Sequence, residues 1–381
     1  MSRKKILVIV GTRPEAIKMA PVILALRQQP WAQTVVLATA QHREMLDQAL
    51  ALFGIAPDID LNIMQPNQTL ISLTARLLTS LGEVLEREAP DAVLAQGDTT
   101  TVMASALACF YRHIPFGHVE AGLRTGDLQN PFPEEANRVI AGCLARWHFA
   151  PTEGAQQNLL RAGVAAENIL VAGNTVIDAL LMTAAKQPEL GLAIAPERRL
   201  VLVTAHRREN FGAPFRRICS ALLRLARANA DTLFLYPVHP NPNVRDVAHE
   251  MLGGQENILL CSPLDYAPFV AAMKRAHFII TDSGGVQEEA PALGKPVLVL
   301  RHETERPEAV AYGVVKLVGT DEERIVEEGQ RLLSSPADWQ AMVRNVSPYG
   351  DGKGAERIVA HLKAHFVGGS EAVQPFRASQ A

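Results

Sequence analysis

Short β-branched runs alternate with longer stretches of helical period along almost the whole chain. KKILVIVG (4–11) is an unbroken apolar run of the kind buried on both faces in a parallel sheet, and PEAIKMAPVILALRQQ follows it with Pro14 suited to a first helical turn. TVVLATA (34–40), DAVLAQGD (91–98) and IPFGHVEAG (114–122) read as further strands, the first two followed by the helical stretches REMLDQALALFG and TTVMASALACFYR. A second series begins after the Pro- and Gly-bearing KQPELGLAIAPERR (186–199). Its strands read RLVLVTAH (199–206), TLFLYPVH (232–239), NILLCS (257–262), HFIITDSGG (277–285) and PVLVLR (296–301). Strand–helix alternation in two series predicts an α/β protein with two Rossmann-like, doubly wound parallel-sheet domains. They are assigned to residues 1–172 and 173–354, with the break near 172–196. A helix over 355–366 is placed back on the first domain by analogy with two-domain folds of this type. The segment 367–381, rich in turn residues and poor in apolar ones, is expected to be a disordered tail.

The length of 381 residues exceeds one ordinary core and agrees with two domains. A formal net charge of −3 offers no cationic footprint, which disfavours a nucleic-acid partner. No apolar stretch is long enough to span a bilayer, and the N-terminal apolar run ends at Gly11, as a strand does and a signal peptide does not. A soluble cytoplasmic protein without membrane insertion is expected. Cys109, Cys143, Cys219 and Cys261 lie far apart in apolar stretches, so buried thiols are expected rather than disulfides or a zinc site.

Ligands of doubly wound sheets bind beyond the carboxyl ends of the strands, so the residues there carry the candidate chemistry. GTRPEAIK, after the first strand, has neither the glycines of a dinucleotide fingerprint nor the Lys-Ser/Thr pair of a Walker loop. It does set Arg13 and Lys18 beside a helix N-terminus, which suits an anion; a solvated basic turn is the plainer alternative. In TDSGGVQEEAPALGKP (281–296), Ser283, Gly284 and Gly285 can aim successive amides at phosphate oxygens, and Glu289 follows about one turn on, where ribose hydroxyls could meet it. A tight turn capped by Ser283 is the alternative, although two glycines exceed what a cap requires. Arg306 could add charge-assisted contacts to a diphosphate or form a surface ion pair. His206 and His239 each end a strand. Singly such histidines are usually structural; two at one edge beside Arg207 and Arg208 point to anion recognition or proton donation to a leaving phosphate.

VEAGLRTGDLQNPFPEEANR (119–138) poses the sharpest question. Asp98 closes one strand, Glu120 closes the next, and Glu134 opens the helix after a loop punctuated by Gly126, Pro131 and Pro133. Asp98 could cap the helix at Thr99, Glu120 could pair with Arg124, and Glu134 could favour the helix dipole. Three carboxylates at successive termini would also raise one another's pKa, which acid/base chemistry needs and structure does not.

Ten motifs run in order from residue 11 to 354: GTRPEAIKMAP, AQHREMLDQ, GDTTT, GHVEAGLRTGD, PEEANR, TAHRREN, YPVHPNP, TDSGGVQEEAP, TERPEA and PYGDGKG. Together they resemble the bacterial non-hydrolysing UDP-N-acetylglucosamine 2-epimerases. The resemblance implies a GT-B-type pair of domains with the active site in the cleft between them. It implies reversible conversion of UDP-GlcNAc to UDP-ManNAc with no cofactor and no metal, by anti elimination of UDP to a 2-acetamidoglucal and syn re-addition. Asp98, Glu120 and Glu134 become the catalytic carboxylates, and His206 assists the departing UDP. Arg13, Lys18, Phe269, Ser283, Gly284, Gly285, Glu289 and Arg306 become substrate contacts. A second, activating UDP-GlcNAc is implied at Gln41, His42, Arg207 and His239, with Glu44 and Asn67 departing from the Gln and Arg of some members. A homodimer and a role in supplying ManNAc units for surface polysaccharide are implied in the same way. Two rivals share the nucleotide half: a GT-B glycosyltransferase, which would not need three first-domain carboxylates, and a hydrolysing epimerase, which would release free ManNAc.

Overall fold

The computed structural model describes residues 3–39, 43–65, 68–344, 346–369 and 373–378. The chain forms two compact units, Met1–Ala179 with Tyr349–Arg377, and Leu180–Pro348 with Ala378–Ala381. The changeover falls inside a helix, a few residues beyond the loop at 172–173.

The first unit runs β1 (Lys4–Val10), α1 (Arg13–Arg27), β2 (Ala32–Ala38), α2 (Arg43–Leu52), β3 (Ile59–Asp60), α3 (Leu70–Glu88) and β4 (Ala92–Gln96). It continues through α4 (Thr100–Tyr111), β5 (Phe116–Val119), α5 (Glu134–Leu144), β6 (Trp147–Ala150), α6 (Glu153–Arg161), β7 (Ile169–Val171) and α7 (Thr175–Ala185). Its strands pair in parallel in the order β3-β2-β1-β4-β5-β6-β7. Residues 6–10 of β1 are buried on both faces, as the unbroken apolar run requires. Leu7, Ile9, Val93 and Phe116 form one core with Leu77 and Leu81 of α3 and Val102 of α4.

The second unit runs β8 (Arg199–Thr204), α8 (Ala213–Ala228), β9 (Thr232–Pro237), α9 (Pro242–Leu252), β10 (Ile258–Cys261), α10 (Tyr266–Arg275) and β11 (Phe278–Thr281). Then come α11 (Gly284–Ala292), β12 (Val297–Val299), α12 (Pro307–Ala311), β13 (Val315–Leu317), α13 (Glu322–Ser334) and α14 (Pro336–Met342). The sheet order is β10-β9-β8-β11-β12-β13, again parallel throughout. Val201, Val203, Phe234, Phe278 and Ile280 pack there against Phe215, Ile218 and Leu222 of α8.

The last helix, α15 (Gly354–Val367), belongs to the first unit. Its Ile358, Val359 and Leu362 are buried, Phe366 stacks on Trp31 at 6.3 Å, and His365 meets the edge of Trp147 at 4.9 Å. Its opening amides, Gly354 and Ala355, donate to the Asp178 carboxylate at 3.2 and 2.8 Å. Burial pushes that carboxyl up to about 6, against those two donors.

Two expectations need correction. The tail is not disordered over 373–378: Phe376 is buried, its amide donates to the Val171 carbonyl on edge strand β7 at 2.7 Å, and Arg357 lies over its ring at 5.7 Å. One aromatic anchor and one ladder bond dock a segment whose average composition is polar. The thiols are free, but Cys143 is exposed and Cys261 partly so; only Cys109 and Cys219 are buried.

Candidate active site

In each sheet the strand order reverses at one point, and there the loops leaving neighbouring strands diverge to leave room for a ligand. In the first unit this point lies between β1 and β4. Thr12 caps α1 by accepting from the Glu15 amide, while Glu15 Oε2 accepts from the amides of Gly11 (2.6 Å) and Thr12 (2.9 Å), completing a capping box. The other Glu15 oxygen takes the Thr99 hydroxyl at 2.6 Å. One buried carboxylate therefore ties the loop after β1 to the loop after β4, and burial raises its pKa. Gly11 keeps this junction tight, because a Cβ there would stand 2.6 Å from Thr39 Oγ1 and displace it.

Glu120 immediately follows β5 with φ +61°, a left-handed conformation that side-chain-bearing residues rarely adopt. The bend turns its carboxylate onto partners from three other segments. Lys18 Nζ on α1 lies 2.6 Å from Oε2, the Gln96 amide at the end of β4 donates to the same oxygen, and Asn174 Nδ2 reaches Oε1 at 3.3 Å. Behind it, His118 of β5 donates from Nε2 to the Gly97 carbonyl at 2.7 Å, and burial pushes its pKa down to about 4, so the ring is neutral.

Asp98 meets Arg138 of α5, Nη2 to Oδ2, at 2.6 Å, and Asn137 Nδ2 holds the Asp98 carbonyl at 3.0 Å. Arg138 also reaches Glu135 at 3.3 Å, and Glu135 Oε1 accepts the amides of Thr125 (3.0 Å) and Gly126 (3.2 Å). The first turn of α5 thus pins both the loop before it and Asp98. The Asp98 carboxyl lies above its ordinary range, first because it is half-buried and partly desolvated; Arg138 and Lys18 oppose the rise, while Glu120 and Glu134 add to it. Asp98, Glu120, Glu134 and Lys18 therefore share one field, but burial, rather than mutual repulsion, leads the shift. Two of the plainer roles do not hold: Thr99 is itself the cap of α4, and Glu120 pairs with Lys18 while Arg124 bonds the Leu123 carbonyl. The third does, since Glu134 stands in the first turn of α5, where the helix dipole favours it. Arg13 heads α1 on the same loop. Glu15, Gln96, Arg138 and Asn174 received no role from sequence; only the helix spacing of Glu135 and Arg138 hinted at a pair.

In the second unit the reversal lies between β8 and β11. Ser283 stands at the N-cap position of α11, yet its side chain makes no cap hydrogen bond. A Cβ at Gly284 would lie 2.7 Å from Arg306 Nη1, so the arginine is draped over the opening of the helix. Arg306 is no surface ion pair: its Nε holds the buried Glu288 at 2.6 Å. Glu289 is buried and accepts the Tyr266 hydroxyl at 2.8 Å; Phe269 sits half-buried on the same helix as Tyr266. His206 stacks on His239 with centroids 5.5 Å apart and planes 13° from parallel. Partial burial lowers the pKa of His206, whose side chain is still 42% exposed; Asp282 opposes that, and His239 and Arg207 add to it. Arg207 Nε donates to the Asp282 carbonyl at 3.0 Å. Arg207 and His239, assigned above to a regulatory nucleotide, thus adjoin His206. Gln41, His42 and Asn67 lie outside the described residues, as does the side chain of Glu44.

Among the described residues no three His, Cys, Asp or Glu side chains are grouped to hold a metal, and no helix is long and apolar enough to cross a membrane.

The chain matches the family model of UDP-N-acetylglucosamine 2-epimerase over residues 24–363. It is 55% identical over 369 residues to UDP-N-acetylglucosamine 2-epimerase of Escherichia coli (strain K12), covering 94% of this chain and 98% of that one. The crystal structure of UDP-GlcNAc 2-epimerase from Neisseria meningitidis bound to UDP-GlcNAc superposes with a TM-score of 0.87 at 49% identity, over 94% of this chain and 99% of that one. A putative UDP-N-acetylglucosamine 2-epimerase from Listeria monocytogenes superposes with a TM-score of 0.91 at 45% identity, over 99% of this chain and 100% of that one.

Proposed function

The chain belongs to the UDP-N-acetylglucosamine 2-epimerase family, isomerases of the non-hydrolysing, GT-B-like type, and from that premise we propose how its residues interconvert UDP-GlcNAc and UDP-ManNAc. The C2 hydrogen of the sugar has no neighbouring carbonyl to acidify it. When the C1–O bond breaks, its electron pair goes to the β-phosphate oxygen and C1 gains cationic character. A carboxylate then takes the C2 proton, the C1–C2 double bond forms, and 2-acetamidoglucal and UDP remain held together. A carboxylic acid returns a proton to the opposite face of C2 while the UDP oxygen rebonds to C1. Departure is anti and re-addition syn; nothing is oxidised and no water is consumed.

Proton removal and return on opposite faces need at least two acid/base groups. Asp98, half-buried, raised in pKa and steadied by Arg138, is suited to exchange a proton with C2. Glu120, held by Lys18, Gln96 and Asn174, serves as a fixed anion beside developing positive charge, with Glu134 completing the cluster. Lys18 and Arg13 contact substrate. The amides of Ser283, Gly284 and Gly285, with Arg306, hold the diphosphate; Glu289 takes the ribose, Phe269 the base, and His206 assists the departing phosphate. The product would supply ManNAc units for surface polysaccharide.

The observation that supports this most is the pairing of β4 with β5: the carboxylates after their carboxyl ends, Asp98 and Glu120, each carry their own cation from a different helix. A glycosyltransferase leaves C2 untouched and does not need two acid/base groups for its opposite faces. Incubation with UDP-GlcNAc in D₂O, followed by NMR, tests it. Deuterium at C2 in intact UDP-GlcNAc and UDP-ManNAc is expected; free ManNAc, or a sugar whose C2 hydrogen never exchanges, would overturn it.

A further inference from the structure

We propose that Asp282 is the positioning residue of His206, holding its imidazole by Nδ1 so that Nε2 is the nitrogen presented to the departing diphosphate. The proposal rests on the role given to His206 above. Asp282 follows β11 at the reversal point and is 0% exposed. Its Oδ2 accepts three N–H groups: the main-chain amides of His206 and Arg207, both at 2.8 Å, and Asn210 Nδ2 at 3.2 Å. Its other oxygen, Oδ1, is buried with no hydrogen bond and faces His206 Nδ1 at 3.4 Å. A buried carboxylate so placed favours a proton on that nitrogen. The carboxylate that fixes the backbone of His206 therefore also selects the tautomer of its ring. Asn210 anchors the loop further by donating to the Leu300 carbonyl at 3.3 Å, and His239 stacks on the imidazole. The charged and titratable groups acting on His206 are Asp282, His239 and Arg207, with Glu305 lying 4.0 Å from Arg207; Asp282 favours the imidazolium, and His239 and Arg207 disfavour it.

Asp282→Asn separates this role from a purely structural one. The amide oxygen can still accept the main-chain N–H groups, but its NH₂ faces Nδ1 and demands a bare nitrogen there. In the full chain, kcat is expected to fall at least tenfold with KM for UDP-GlcNAc within about threefold, and in the His206→Asn background the same change is expected to add less than twofold. Nitrogen-15 histidine spectra, assigned by the signal lost in His206→Asn, should show neutral His206 protonated at Nδ1 in the wild type and bare at Nδ1 in Asp282→Asn. A wild-type His206 protonated at Nε2, or an Asp282→Asn loss equally large with and without His206, overturns the proposal. If Asp282→Asn fails to fold, the wild-type tautomer decides alone. The spectra need no turnover, so a protein that makes no UDP-ManNAc would defeat the functional reading and leave the Asp282–His206 pairing to be judged separately.

Discussion

At the carboxyl edge of the first sheet the polar work is done by side-chain charges: Asp98 against Arg138, Glu120 against Lys18, Glu135 against Arg138. At the matching edge of the second sheet it is done largely by backbone: a Ser-Gly-Gly helix opening under one draped arginine, and loop amides gathered on Asp282. On the function proposed above, the difference follows from what each must do. Fixed amide dipoles hold a diphosphate without changing protonation state, and they need only close approach, which glycine allows. Groups that trade protons must have adjustable charge, so each needs burial to raise its pKa and a cation to limit the rise. The first edge also carries a φ of +61° at Glu120, a local cost of about 1–3 kcal/mol that a plain binding loop would have no reason to keep.

Four substitutions would break or sharpen this contrast. The largest effect is expected from Glu120→Gln, which keeps the shape but removes the charge: C2 deuteration and turnover, followed by NMR in D₂O, should fall at least about 10²-fold, while UDP affinity stays within a few-fold. Equal losses in both would erase the division of labour. Gly284→Ala should give the reverse signature. Its methyl would meet Arg306 Nη1 at 2.7 Å and displace the guanidinium, weakening UDP binding by about tenfold, or about 1.4 kcal/mol by calorimetry, with the melting temperature nearly unchanged.

Arg138→Met should act more subtly. It removes the cation that opposes burial at Asp98, so that carboxyl rises further, and the acidic limb of the kcat/KM profile should move to higher pH. An unmoved limb would take Asp98 out of the profile. The smallest effect on chemistry is expected from Asp178→Asn; Asp178 lies on α7 beneath the start of α15, one turn beyond the Asn174 that holds Glu120. Its folded pKa of about 6 lies above the usual 3.8 of an aspartate, so its contribution to stability is complete below about pH 4 and is lost as pH rises through 6. In denaturant melts the asparagine should flatten that dependence, while its NH₂, unable to accept, leaves one of the Gly354 and Ala355 amides without its partner at a cost of about 1–3 kcal/mol; a parallel pH dependence in both proteins would show that Asp178 is not its source.

Long apolar runs such as those of β1 and β8 were legible because both faces of a parallel strand are buried, and the acids after β4 and β5 because strand ends are where chemistry sits. The two residues of β3, the three of β7 and the three of β13 are too short to carry a period, and WHFA of β6 hides beside the helix before it. Partners were harder still. Glu15 and Thr99 are 84 positions apart and the His206 amide and Asp282 are 76 apart, so only the folded sheet brings them together. A single Phe376 in a polar tail gives no statistical signal, although it is the residue that docks.

The first unit is closed by the last part of the chain. Trp31 and Trp147 are covered by α15, and strand β7 receives its outer hydrogen bond from Phe376. During synthesis the second unit leaves the ribosome with all its strands before the first has its covering helix. A nascent first unit therefore waits with its aromatic flank open through some two hundred further residues, at about 5–20 residues per second for tens of seconds. A frameshift or stop near residue 350 would leave that flank open for good, in a molecule whose second sheet is already complete.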